Sequence, residues 1–175
     1  MTPGRPPAFD PLRAVRVLNE HGVRFVIIGG FGARLQGSPT LTNDVDVCYA
    51  RDDANLEALA AALVEMRATL RGAHEDVPFI LDARTLRNGD HFTFITDAGN
   101  LDILGTPAGS PGFDELARAA DRMELDGVSV LVASVDDLIR MKRASARPKD
   151  LIEAEVLGAL REEIEARERQ RRIDR

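Results

Sequence analysis

The sequence predicts a mixed α/β domain: a mixed β-sheet with flanking helices and a helical C-terminal segment. Three observations carry this. Two short apolar runs, residues 24–28 (RFVII) and 44–49 (DVDVCY), are joined by a Gly-Gly turn and a short helical stretch. Two β-rich pairs enclose short turns, 91–96 with 100–104 and 123–125 with 128–132. Segments with apolar residues at helical spacing lie before, between and after these runs.

The elements follow in order. Residues 1–9 are Pro-rich and read as a flexible leader. Asp10-Pro11 starts a helix, with Asp as cap and Pro at the first helical position, and Gly22 stops it. After the first strand, Gly29-Gly30 opens a short helix over 31–36, and Gly37-Ser38-Pro39 leads to the second strand. Asp52 starts a long Ala/Leu helix expected to end near Leu70. Residues 71–78, His74 with Glu75-Asp76 among them, are irregular, 79–81 form a minor strand, and 82–88 a helical turn or two. The turn at Asp97-Ala98-Gly99 closes one hairpin. After a Pro/Gly loop, residues 113–120 are helical, and Asp126-Gly127 is a strong two-residue turn for the next hairpin. Ser134 with Asp137 reads as a capping box for a helix to about Ala144, Pro148 breaks it, and a last helix starts near Lys149. Beyond Leu160 the charges nearly balance and only Ile164 and Ile173 are large and apolar, as in a solvated helix or frayed tail. The expected organisation is a leader (1–9), an α/β domain (10–133) and a C-terminal helical segment with a charged tail (134–175). The helices are expected on one face of one sheet, with the C-terminal helices as a cap or small subdomain.

Composition narrows the function. The chain has 175 residues, 44% hydrophobic and 30% charged, enough for one domain with a real core. A net charge of −6 and 5% aromatics, with no Trp, argue against a nucleic-acid binder acting through its global field or through stacking rings. One cysteine, Cys48, excludes an internal disulfide and a Cys-rich zinc site. No apolar run reaches membrane-span length and the first residues do not form a signal peptide, so a cytoplasmic location is expected.

The chemistry centres on Asp44-Val45-Asp46. On a strand, residues i and i+2 share a face, so the two aspartates stand together while Val45 and Val47 point to the core. Paired carboxylates suit a hard divalent cation, and without one they repel by about 3 kcal/mol at roughly 5 Å and an effective dielectric near 20. Asp102 lies within Leu101-Asp102-Ile103-Leu104, where a charge among apolar residues needs a reason. If its strand neighbours 44–49, three carboxylates surround a site suited to two-metal phosphoryl or nucleotidyl transfer. Gly29-Gly30, fourteen residues before Asp44, lets a backbone approach phosphate at a helix start. The run from Arg140 to Lys149 holds five cations (Arg140, Lys142, Arg143, Arg147, Lys149) and no acid, so it suits a triphosphate. Asp150 follows, either to orient Lys149 or to cap the last helix. The three histidines, His21, His74 and His91, lack metal-ligand spacing, and Cys48 reads as a small buried filler.

These motifs resemble a known superfamily. Ile27-Ile28-Gly29-Gly30-Phe31-Gly32-Ala33 followed by Leu41-Thr42-Asn43-Asp44-Val45-Asp46-Val47, with Asp102 on a later strand, is similar to the DNA polymerase β-like nucleotidyltransferases. Lys142 with Arg147-Pro148-Lys149-Asp150 resembles the second signature of the minimal branch that includes the AbiEii-type and MenT-type toxins. The resemblance implies transfer of an NMP group from an NTP such as ATP to a hydroxyl on a tRNA 3′ end, a protein or a small molecule, with Mg²⁺ or Mn²⁺. By the same resemblance Asp44, Asp46 and Asp102 hold metal, Asp102 also serving as general base. Gly29, Gly30, Lys142, Arg147 and Lys149 hold the nucleotide, and an antitoxin is an expected partner. The alternative is a non-catalytic nucleotide-binding or interaction module on the same fold.

Overall fold

The computed structural model describes residues 7–73 and 78–175. The expectations for His74, Glu75 and Asp76, and for most of the leader, fall outside these. Helix α1 (Pro11–Glu20) begins as expected: the Asp10 carboxylate accepts from the Arg13 backbone N–H at 3.0 Å and Pro11 occupies the first turn. Phe9 is not loose; its ring packs edge-on against Phe31 at 6.5 Å. Strand β1 (Phe25–Ile28) is buried throughout, and α2 (Gly29–Leu35) and β2 (Asp44–Tyr49) follow.

Helix α3 (Asp53–Glu65) ends earlier than its Ala/Leu composition suggests. Arg67 adopts φ 51° and turns the chain, so that β3 (Thr69–Leu70) pairs with β4 (His91–Thr96). The strand expected at 79–81 is absent because β3 holds the place beside β4. Phe79 packs instead on Phe92 and Phe94, with ring centroids 6.3 and 6.2 Å away. Helix α4 (Ala83–Asn88) precedes β4, which forms a hairpin with β5 (Gly99–Leu104). Helix α5 (Phe113–Ala119) leads into β6 (Asp121–Leu125) and β7 (Val128–Val132). Asp126 and Gly127 both have positive φ in the turn between them, as the sequence requires. Helix α6 (Val135–Ser145) is capped by Ser134, whose hydroxyl accepts from the Asp137 N–H, and α7 (Pro148–Ile173) opens on its proline.

Among the described residues seven strands form one sheet in the order β3-β4-β5-β2-β1-β7-β6. The β2–β5 and β1–β7 pairs are parallel and the rest antiparallel. Helices cover both faces, not one. Phe25, Ile27, Val45, Val47 and Tyr49 pack with residues of α1 and α3. Val26, Ile28 and Cys48 pack with Leu116, Leu138, Ile139 and Leu157 from α5, α6 and α7. The reason is β1: its unbroken apolar run has no polar face to give to water.

On α7 the buried residues Asp150, Glu153, Ala154 and Leu157 form one stripe at helical spacing. Beyond Leu160 the helix continues to Ile173 with its residues largely exposed, the solvated form of the two expected. Among its ties to the rest of the chain is the exposed Arg161–Asp136 pair at 2.7 Å. A chain ending at Leu160 is therefore expected to melt within about 2–4 °C of the full chain, the loss of roughly one surface ion pair. A far larger drop in a thermal melt would mean that the last turns pack on the domain.

Candidate active site

Parallel pairing of β2 with β5 sets Asp46 opposite Asp102 and Asp44 opposite Asn100. Cross-strand partners share a face, so the three carboxylates stand on the side opposite to Val45, Val47 and Leu101, which are fully buried. Asn100 donates from Nδ2 to Asp44 Oδ1 at 3.0 Å. Arg71, just after β3, donates from Nη2 to both oxygens of Asp102 at 2.7 and 3.0 Å, and its Nη1 lies 3.8 Å from Asp44. The Arg71 backbone N–H continues the edge by donating to Thr93 O at 2.9 Å. Neither Asn100 nor Arg71 stands out in the sequence; Arg71 falls in the stretch that reads as irregular.

The electrostatics follow from this crowding. Burial first, then the charges of Asp102 and Asp44, push the Asp46 carboxyl up to about 7, against the pull of Lys142 and Arg71. Burial also raises Asp102, opposed by its bond to Arg71. Among the described residues no three His, Cys, Asp or Glu side chains are arranged as a finished metal cage. The donors are nonetheless hard oxygens on one face, with an excess of negative charge and, among the described residues, no positive charge ion-paired to Asp46. That set fits Mg²⁺ or Mn²⁺.

Gly29 has φ 64°, and a Cβ there would run into the Asp46 carboxylate, 2.7 Å from its Cγ. Only glycine allows both the conformation and the contact. At Gly30 a Cβ would lie 3.0 Å from Thr42. Thr42 Oγ1 in turn donates to Asp44 O at 3.2 Å and accepts from Asp44 N at 3.3 Å, which fixes the entry into β2. The Gly-Gly turn is thus shaped against the loop and strand that carry the aspartates.

The cationic run divides. Arg140 turns to Asp137 and to Gly109 O, and Arg143 is exposed. Lys142 pairs with Glu153 and, at 3.2 Å, with Asp150. Asp150 does not serve Lys149. Buried at 2% exposure, it accepts from Lys142 Nζ, Ser145 Oγ at 2.8 Å and Arg147 Nε at 2.6 Å. Burial works against its charge, but these donors outweigh it and pull its carboxyl down to about 2. Lys142 is likewise held above the usual lysine range, its burial outweighed by bonds to Glu153 and Asp150. Lys149 is largely exposed, with Nζ 3.8 Å from Glu153. His91 stands at the exposed start of β4, and His21 caps α1 beside Glu65 at 2.5 Å. Cys48 is fully buried, and burial pushes its thiol up to about 12.

Two compartments meet at Asp46, Lys142, Arg147 and Asp150. One, of about 370 Å³, holds the carboxylates with Arg71, Thr42 and Lys149. The other, of about 390 Å³, has Ile28, Leu104, Leu138 and Met141 on its walls.

No family model and no curated protein matches the sequence. Solved structures match its fold. The lincosamide antibiotic adenylyltransferase LnuA, in its lincomycin-bound form, aligns at TM-score 0.59 and 11% identity over 88% of this chain and 99% of that one. TM1012 of Thermotoga maritima, classed as a nucleotidyltransferase, aligns at 0.50 and 17% identity over 91% and 97%. The chain has a nucleotidyltransferase fold.

Within this nucleotidyltransferase fold, the raised Asp46 carboxyl makes stability depend on pH. Folded Asp46 holds its proton up to about 7, whereas an unfolded aspartate releases it near the ordinary value of 3.8. The folded state therefore binds more protons between these values, and stability falls as pH rises through that window. In chelator, Asp46→Asn should raise stability by about 1–2 kcal/mol at pH 8 and by little at pH 4. Denaturant melts at the two pH values check this; a variant less stable than wild type at pH 8 would make Asp46 a structural residue.

Proposed function

We propose that the protein is a metal-dependent nucleotidyltransferase that moves an NMP group from an NTP to a hydroxyl acceptor. The observation that carries the reading is the placement of Asp44, Asp46 and Asp102 on one face of adjacent strands, against the Gly29 turn. Asp44, Asp46 and Asp102 are the residues that would hold Mg²⁺ or Mn²⁺. When bound, the cation neutralises negative charge on the nucleotide phosphates.

The chain's own residues supply the rest. Asp102 orients the acceptor hydroxyl and takes its proton as general base. Backbone N–H groups at Gly29 and Gly30 hold the phosphates. Lys142, kept charged by Asp150 and Glu153, balances the charge that grows on departing pyrophosphate. Arg147 and Lys149, both largely exposed, reach the phosphate tail from the rim.

For the acceptor we place a small hydroxylated molecule first. Most of the cationic run is neutralised within the chain by Asp137, Asp150 and Glu153, which leaves little positive surface for a polyanion. The apolar-walled compartment beside Asp46 has the volume of a small-molecule site. LnuA, bound to lincomycin, offers a parallel. The second reading is the toxin one, with a tRNA 3′ end as acceptor and an antitoxin partner; the resemblance of Lys142 and the 147–150 segment to the toxin signature favours it. ATP is the first donor to test, since LnuA is an adenylyltransferase.

Incubation with each labelled NTP and Mg²⁺, with a panel of hydroxylated small molecules in one arm and total RNA in the other, separates these readings by where label appears. Asp102→Asn should lower turnover by about 10²–10⁴-fold, with a much smaller loss of nucleotide affinity. A variant that keeps full turnover would remove Asp102 as the general base; wild type that binds NTP yet transfers no label in either arm would leave a non-catalytic nucleotide-binding module on this fold.

Lys142→Ala should weaken NTP binding about tenfold or more, as expected for one charge-assisted phosphate contact, while Arg172→Ala on the exposed tail should not. Equal titration curves for the two variants would remove Lys142 from the nucleotide site.

A further inference from the structure

Arg71 is unaccounted for by the proposed chemistry, and it sits in the middle of it. Among the described residues it is the one cation ion-paired to any of the three aspartates: Lys142 is committed to Asp150 and Glu153, and the other pairs lie elsewhere. One arm of its guanidinium spans both oxygens of Asp102, and the other leans toward Asp44. These are two of the three carboxylates that would receive a divalent cation. Asp46 is left without such a partner.

We propose that Arg71 is a resident counter-cation of the Asp44/Asp102 pair, and that a divalent cation must displace it to engage Asp102. The inference rests on the metal reading above. Its physical basis is repulsion. A guanidinium bonded to Asp102 and a doubly charged ion bound to the same half-buried carboxylates are like charges a few ångströms apart, where screening by water is weak. The side chain has somewhere to go: it is 30% exposed and follows a two-residue edge strand, so it can swing to solvent without breaking the central sheet. Until it does, the proposed general base is masked by two hydrogen bonds. Arg71 is thus a positioning residue that holds the empty site together and sets how readily it fills.

The test uses Mn²⁺ alone, titrated into the metal-free full-length protein at about pH 8, with free Mn²⁺ read by electron paramagnetic resonance. Arg71→Ala and Arg71→Gln should bind Mn²⁺ about fivefold or more tighter than wild type, and Arg71→Lys should fall between. Arg67→Ala, which removes only the exposed pair with Asp97, should match wild type. In chelator the uncharged variants should melt below wild type, and Mn²⁺ should raise their melting temperature by more. If Arg71→Ala does not fold, Arg71→Gln and Arg71→Lys decide the question. Affinity in the uncharged variants equal to or weaker than wild type overturns the inference and leaves the metal reading standing. No Mn²⁺ binding by any of the proteins up to about 1 mM overturns both.

Discussion

A slip of one residue in the pairing of β2 with β5 would turn Asp102 into the core beside Val45 and Val47 and bring Ile103 out among the carboxylates. The register does not slip because each strand is pinned by what it buries. Val45, Val47 and Tyr49 on one strand, and Leu101 and Ile103 on the other, fill the same core cluster with no exposure. The hairpin partner β4 adds Phe94 to that cluster and fixes β5 from its far side. The charges on the opposite face are held together by apolar packing that never touches them. That is why a site with three like charges can persist in a folded chain: the core supplies the stability that the site withholds.

A second constraint ties the C-terminal helices to this sheet. Asp150 is buried, yet it accepts from Lys142 and Ser145 near the end of α6 and from Arg147 before α7. A buried carboxylate left without partners would cost several kcal/mol, so the three donors and the acid hold one another in place. The bend between α6 and α7, where Ala146 takes φ 54°, is organised around that carboxylate. Lys142 faces Asp46 from this hub, at a position set by a network and not by a free side chain.

The sequence made the aspartates legible for a simple reason. Strand alternation is a strong local rule, and an acid flanked by Leu101 and Ile103 has few structural uses. The Gly-Gly turn and the Asp126-Gly127 hairpin were readable because each needs a backbone conformation that few residues adopt. Arg71 was not readable. Its place beside Asp102 depends on β3 closing onto β4 across a connection of twenty residues, and the helix expected to run to Leu70 covered β3 itself. Asp150 was half readable: its place at a helix start was evident, but its donors come from a turn whose shape only the folded chain reveals. The second helical layer was missed because a strand apolar on both faces was read for its strand character and not for the cover it demands. The cationic run was legible only in part: five positive charges in ten residues stand out, but the acids that meet four of them, Asp137, Asp150 and Glu153, lie outside the run.

The outer hairpin, β6 with β7, joins the central sheet along a narrow seam. Its parallel pairing with β1 is the match of Ile27 with Val132, extended by the Ala133 N–H to Ile27 O at 2.9 Å. Ser134, the cap of α6, follows at once. The seam therefore sets where α6 starts and which way it leaves the sheet. Eight residues along that helix, counting from the cap, stands Lys142. A helix rises about 1.5 Å per residue, so a small rotation at Val132 is carried over roughly 12 Å and becomes a visible translation of the ammonium group. Packing substitutions at the hairpin, far from Asp44, Asp46 and Asp102, thereby gain a mechanical route to Lys142.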